Sequence, residues 1–142
     1  MAICFGCFAQ TTISNDMAGY VEVSLKRCFQ EGSIVYVDLM FTNHASKDCL
    51  VTLWRPTAVD DEGNNYDKYS TYWDVAPANY GLDCNIQAGI TKKYRFAIKN
   101  MDEYASSLQI VDIVCTWNGC GRFSNAMWQN ANIRIRRIPI EK

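Results

Sequence analysis

Ser33-Ile34-Val35-Tyr36-Val37-Asp38-Leu39-Met40-Phe41-Thr42 is the stretch on which the fold class turns. Val35, Val37, Leu39 and Phe41 occupy every second position. Successive side chains of a strand point to opposite faces, so the stretch reads as a β-strand with one apolar face. Upstream, Val21, Val23 and Leu25 alternate with Glu22, Ser24 and Lys26 across Tyr20 to Cys28, and Gln30-Glu31-Gly32-Ser33 turns the chain between the two segments. Downstream, Asn43-His44-Ala45-Ser46-Lys47 forms the next turn. Asp48 to Arg55 then carries Leu50, Val51, Leu53 and Trp54, apolar on both faces as in a central strand, and Pro56 closes it.

The same period continues to the end of the chain. Tyr94, Phe96 and Ile98 alternate within Thr91 to Lys99, and Val111, Ile113, Cys115 and Trp117 share one face of Leu108 to Trp117. Within Asn132 to Ile140, Ile133 and Ile135 are in phase with each other but out of phase with Ile138 and Ile140, which predicts a bulge near Arg136-Arg137. Asn100 to Ser106 has room for one helical turn, and no helical stripe of any length competes elsewhere. Strands with one apolar face must cover it, so the expectation is an all-β antiparallel two-sheet sandwich of about seven strands, with a small barrel as the alternative. Its core is expected to hold Val21, Val23, Val35, Val37, Leu39, Phe41, Phe96 and Ile113.

Length and composition agree with that reading. A chain of 142 residues with 49% apolar, 20% charged and 13% aromatic residues is one globular domain, and disorder is excluded for most of its length. Fourteen Lys and Arg against fifteen Asp and Glu give a net charge of −1. The only basic cluster is Arg134, Arg136 and Arg137, too small for a phosphate-tracking face, so nucleic acid is not an expected partner. No apolar run is long enough for a membrane-spanning helix.

The turn chemistry resembles that of small exported bacterial domains with an immunoglobulin-like, telokin-like β-sandwich, a group in which many members lack an assigned function. The residues carrying the resemblance are Val35 to Asn43, an alternating strand ending in Thr-Asn, then Ala58-Val59-Asp60-Asp61-Glu62-Gly63-Asn64-Asn65-Tyr66, then Ile86-Gln87-Ala88-Gly89-Ile90. It covers residues 20 to 117 and transfers no catalytic residue. The resemblance implies a binding or accessory role rather than an enzymatic one.

Residues 1 to 9 are read apart from the domain at 10 to 142. Ala2 to Ala9 is a short apolar stretch ending at Gln10, and Cys7 and Ala9 stand where signal peptidase requires small residues, so residues 1 to 9 read as the end of a secretory signal. That predicts a location outside the cytoplasm: the periplasm, the outer surface or the medium. Gly6-Cys7 also resembles the end of a lipoprotein signal, the alternative on which Cys7 would carry a lipid anchor. The Cys4-x-x-Cys7 spacing of thiol oxidoreductases lacks the strand that should precede it.

Candidate chemistry is sparse. His44 is the only histidine and lies in a polar turn. Asp60, Asp61, Glu62, Asp67 and Asp74 offer carboxylates for the competing reading, a carboxylate-dependent hydrolase of a surface polymer; two of them facing each other across a concave site would favour it. Placing Gly63 sixth in a calcium loop leaves Ala58 first and Tyr69 twelfth, so that motif fails at both ends, and no cofactor motif is present. Cys28, Cys49, Cys84, Cys115 and Cys120 admit either buried thiols or one or two disulfides. If Asn118-Gly119 forms a two-residue turn, Cys115 and Cys120 are only diagonal neighbours, beyond comfortable disulfide reach. The densest feature is Tyr66 to Tyr80, with Tyr66, Tyr69, Tyr72, Trp73 and Tyr80. Tyr69, Tyr72 and Trp73 are the expected contacts for a glycan or protein ligand, provided at least two rings lie exposed side by side; the alternative is a lid folded over the core.

Overall fold

The structure is a computed structural model and describes residues 10–76, 81–124 and 126–142. The strands are β1 (Thr12–Asn15), β2 (Val21–Glu31), β3 (Ile34–Asn43), β4 (Cys49–Leu53), β5 (Thr57–Asp60), β6 (Asn65–Tyr66), β7 (Thr71–Trp73), β8 (Leu82–Ile86), β9 (Thr91–Ile98), β10 (Ser107–Trp117) and β11 (Gln129–Pro139). They form two antiparallel sheets. The larger runs β1-β11-β10-β4-β8, with β5 also on β10 and β6 on β5; the smaller runs β2-β3-β9-β7. The all-β sandwich is therefore as expected, but the described residues hold eleven strands and not about seven. The additional strands are short pieces in polar or turn-rich sequence, where alternation has too few residues to register.

The alternating positions meet between the sheets. Val21, Val35, Val37, Leu39, Phe41 and Phe96 are fully buried, Ile113 is nearly so, and Val23 is buried at 8% exposure. The apolar-on-both-faces segment becomes β4, flanked by β10 and β8 as a central strand should be. β2 changes phase part-way: Leu25 pairs with Leu39 and Arg27 with Asp38, leaving Lys26 as the extra residue of a bulge, so that Val23 before it and Cys28 after it both face inward.

Two local expectations fail. Residues 100–106 form no helical turn: Asn100 sits at φ 56°, and Ala105 N–H donates to Asp102 O in a simple reverse turn. Asn118-Gly119 is not a two-residue hairpin turn either. Trp117 pairs with Gln129 on one side and Val51 on the other, so the chain between β10 and β11 is a longer loop.

The phase change near Arg136-Arg137 is present and has a mate. Leu108 pairs with Ile138 and Ile110 with Arg136, while Gln109 and Arg137, between them, are skipped together. Arg137 adopts φ 60°. Both strands lose phase at facing residues, so the ladder keeps one register across the kink. At its free edge, β2 is clasped by the end of the chain: Gln30 N–H donates to Glu141 O at 2.8 Å and Glu141 N–H to Cys28 O at 3.0 Å.

Candidate functional site

β7 settles where the expected ligand rings go. Its register on β9 sets Thr71 opposite Ile98 and Trp73 opposite Phe96, both inward positions. Trp73 is 1% exposed, its ring stands edge-on to Phe96 at 5.3 Å, and its Nε1–H donates to Trp54 O at 2.8 Å. Trp73 is thus a core residue and cannot be a ligand contact, which corrects the sequence expectation. Strand alternation turns Tyr72 to the opposite face, so the two rings never lie side by side. Tyr72 is half-buried on the outer face of the smaller sheet, where Tyr36 and Tyr72 flank Ala97. Burial, and then Tyr36 and Asp74, push the Tyr72 phenol above its ordinary range. Tyr69 alone of the three is well exposed, at 69%, with Arg55 and Lys68 near its ring at 5.5 and 5.4 Å. Tyr66 is buried, and Tyr80 lies outside the described residues.

The acidic stretch organises its own hairpin. Asp60 is fully buried and accepts hydrogen bonds from Tyr66 Oη at 2.7 Å, Asn64 Nδ2 at 3.0 Å and the backbone N–H of Glu62 and Asn64. Burial alone would raise its carboxyl, but these donors outweigh burial and hold it below the usual carboxylate range. Asp61 is likewise held low by hydrogen bonds from Ser106 and Ser107, which outweigh its burial. Asp67 accepts from Tyr69 N–H across its own turn. His44 is exposed and 3.2 Å from Glu22. Among the described residues, no group of His, Cys, Asp and Glu is placed to hold a metal ion.

Cys28, Cys49, Cys84, Cys115 and Cys120 are all buried free thiols. Burial pushes Cys28, Cys84 and Cys115 up to about 12. They behave as small apolar side chains.

Two hollows among the described residues lie elsewhere, on the outer face of the larger sheet along β10 and β11. In a regular strand, neighbouring residues point to opposite faces; at the shared kink two consecutive residues of each strand turn outward, Gln109 with Ile110 and Arg136 with Arg137. They line a depression of about 740 Å³, with Val59 of β5 and Pro139 contributing apolar surface. A second hollow of about 540 Å³ adjoins it along the same strands, lined by Ser14, Asp16, Val114 and Asn132 with the Asp112–Arg134 pair. Arg134 and Asp112 form a bidentate ion pair at 2.6 and 3.0 Å. The remaining ion pairs among the described residues are Arg27–Glu141, His44–Glu22 and Arg95–Asp38, so Arg136 and Arg137 have no acidic partner. None of Asp60, Asp61, Glu62, Asp67 and Asp74 lines either hollow. Both signals for this site stand in the sequence, the arginine cluster and the isoleucine phase change; what a single sequence lacks is the pairing that puts the two guanidiniums on one face.

No protein-family model matches the sequence, and no curated protein does. Among solved structures, the chain is similar to an ASH/PapD-like domain of human CEP192, with 14% identity over 70% of this chain and 72% of that one and a TM-score of 0.42. It is also similar to the sporulation control protein Spo0M of Bacillus subtilis, with 16% identity over 87% of this chain and a TM-score of 0.32; it spans about half of that protein, 49%. Both scores lie under 0.5, so the sandwich rests on its own ladders and register.

Proposed function

We propose that this chain is a non-enzymatic binding domain that works outside the cytoplasm and takes an extended acidic segment of a partner protein along the outer face of β10 and β11. The observation that carries the reading is the pair Arg136 and Arg137, turned to one side by the kink, without acidic partners among the described residues, beside the apolar surface of Val59, Ile110 and Pro139. Guanidinium groups match carboxylates in charge and geometry, and a strand-like segment presents its side chains at the spacing of the sheet beneath it. The hydrolase reading draws no support from the hollows, because the carboxylates it needs are engaged in turns or lie away from both. The location outside the cytoplasm is supported by the apolar run before Gln10, which falls outside the described residues together with Cys7. Kinship with exported bacterial telokin-like domains belongs to the same proposal.

The test is fluorescence anisotropy with labelled peptides alternating Asp with Val, and the matching Lys-Val peptides as controls. Only the acidic probe is expected to bind, more weakly as salt rises, and Arg136→Glu with Arg137→Glu is expected to lower its affinity at least about ten-fold, since one charge-assisted hydrogen bond contributes about that much. Equal binding of both peptides, or an unchanged affinity in the double variant, overturns the site. A glycan-array signal that survives the double variant would move the ligand to a different chemistry and surface. Protein isolated from its own cells is expected to begin at Gln10; an intact Met1 overturns the export reading.

A further inference from the structure

We propose that Cys49 and Cys120 are a disulfide-forming pair that staples the start of β4 to the loop after β10. This rests on packing and does not depend on the ligand face. The Trp117–Val51 pairing, continued by one residue, sets Asn118 opposite Leu50, and the two exchange hydrogen bonds: Asn118 N–H to Leu50 O at 3.1 Å, and Leu50 N–H to Asn118 Oδ1 at 3.0 Å. Cys120 therefore lies close beyond Cys49, both side chains are buried, and Cys120 is near enough to perturb the Cys49 thiol.

The loop is held in that position. Asn118 Oδ1 also accepts from Cys120 N–H at 2.9 Å, and Arg122 Nε–H donates to Gly119 O at 2.8 Å while its guanidinium lies 3.7 Å from the Tyr20 ring centroid. Gly119, Cys120 and Gly121 run at φ 65°, 55° and 83°. A non-glycine residue adopts that conformation only at a cost, and here the surrounding bonds fix it, with Cys120 Sγ buried 3.9 Å from Asn43 Oδ1. A disulfide between two such neighbouring buried residues forms when their sulfurs lose their hydrogens and close to about 2.05 Å. Cys84 and Cys115 are held farther apart, on β8 and β10 with β4 between them, and Cys28 lies in the other sheet, on β2.

The oxidant is a small disulfide of the glutathione class. Cys120 lines the depression bounded by Tyr20, His44 and Lys47, and so is the sulfur through which exchange enters. Its thiolate attacks one sulfur of the oxidised glutathione and releases one glutathione thiolate. The Cys49 thiolate then attacks Cys120 Sγ, expels the second glutathione and closes the protein disulfide. Two protein thiols and one small disulfide become one protein disulfide and two small thiols. Burial, reinforced by Cys120, pushes the Cys49 thiol above its ordinary range, and burial raises Cys120 as well, so exchange is expected to be slow on a chain that stays closed.

The test uses the full chain equilibrated across a series of oxidised and reduced glutathione, followed by non-reducing peptide mapping. The expected result is a cross-link joining the peptides that contain Cys49 and Cys120, with a melting temperature about 5–10 °C higher that reverts on reduction. Cys28→Ser is expected to leave the cross-link in place, and Cys49→Ser to remove it. A map without the Cys49–Cys120 peptide under fully oxidising conditions, or with either cysteine joined to a different one, overturns the proposal. The mapping is done on the unaltered protein, so a variant that fails to fold does not blunt it.

Discussion

The two sheets present outer faces of opposite character. On the smaller sheet, Phe29 stacks on Tyr36 at 5.4 Å, the Arg27 and Arg95 guanidiniums lie 4.1 and 5.1 Å from the Phe29 centroid, and Arg95 grips Asp38 through two bonds of 2.6 and 3.0 Å. Phe29 is only 6% exposed although it points away from the core. Arginine planes and aromatic rings have sealed that face with its own side chains. On the larger sheet, Arg134 is likewise held by Asp112 directly opposite it, but Arg136 and Arg137 stand beside a hollow with no acidic partner among the described residues. The difference comes from register: Arg95 and Arg134 each face an aspartate across the ladder, whereas the kink sets Arg136 and Arg137 together with none opposite.

That contrast can be broken or sharpened by substitution. The largest effect is expected beneath the smaller sheet, where Trp73→Ala should destabilise the chain by about 3–5 kcal/mol, since it empties a core site and removes the bond to Trp54 O. Urea unfolding measures this; a change under 1 kcal/mol would mean that the ring is not part of the core. Asp38→Ala should cost about 2 kcal/mol, below the figure for a fully buried pair because Arg95 remains 31% exposed.

The same pair fixes a pH dependence. Its hydrogen bonds to Arg95 hold the Asp38 carboxyl below the ordinary value of 3.8, so the unfolded chain takes up its proton first. The stability it contributes is complete above the unfolded value and is lost as pH falls through the lower folded value; Asp60 and Asp61 act in the same direction. Melting temperatures between pH 6 and pH 2 should therefore fall less steeply in Asp38→Asn than in the unaltered chain. A smaller loss, about 1 kcal/mol, is expected for Tyr72→Phe, which deletes a half-buried hydroxyl on the face it shares with Tyr36. The least effect on stability belongs to Arg136→Ala and Arg137→Ala, within about 0.5 kcal/mol, because neither guanidinium has an ion-pair partner among the described residues. A larger loss would mean that the two faces differ less than they appear.

Long alternating segments were legible from the sequence because each repeats one physical condition many times. Val35 to Phe41 and Val111 to Trp117 each place four side chains on one face, and both became long strands. Thr71-Tyr72-Trp73 has too few residues for that, so chemistry was assigned to Tyr72 and Trp73 by residue type, and the ladder with β9 overruled it for Trp73. The kink was legible on one strand only. On β11 the isoleucines mark it, whereas on β10 Gln109 and Ile110 show it only once they are paired with Arg137 and Arg136. Contacts between distant positions, such as Cys49 with Cys120, leave no trace in local periodicity.

The clasp of Glu141 on β2 bears on what this protein does in a crowd. A long outer strand with unpaired N–H and C=O groups is a template onto which a strand of another molecule can add, the first step of edge-to-edge aggregation. Glu141 occupies the amide of Gln30 and the carbonyl of Cys28, and its carboxylate holds Arg27 at 3.3 Å, so that stretch of the edge is already taken by the chain's own last residues. Removing Glu141 and Lys142 would leave the fold its core and strip the edge of its guard, and light scattering at rising concentration would register the loss as self-association.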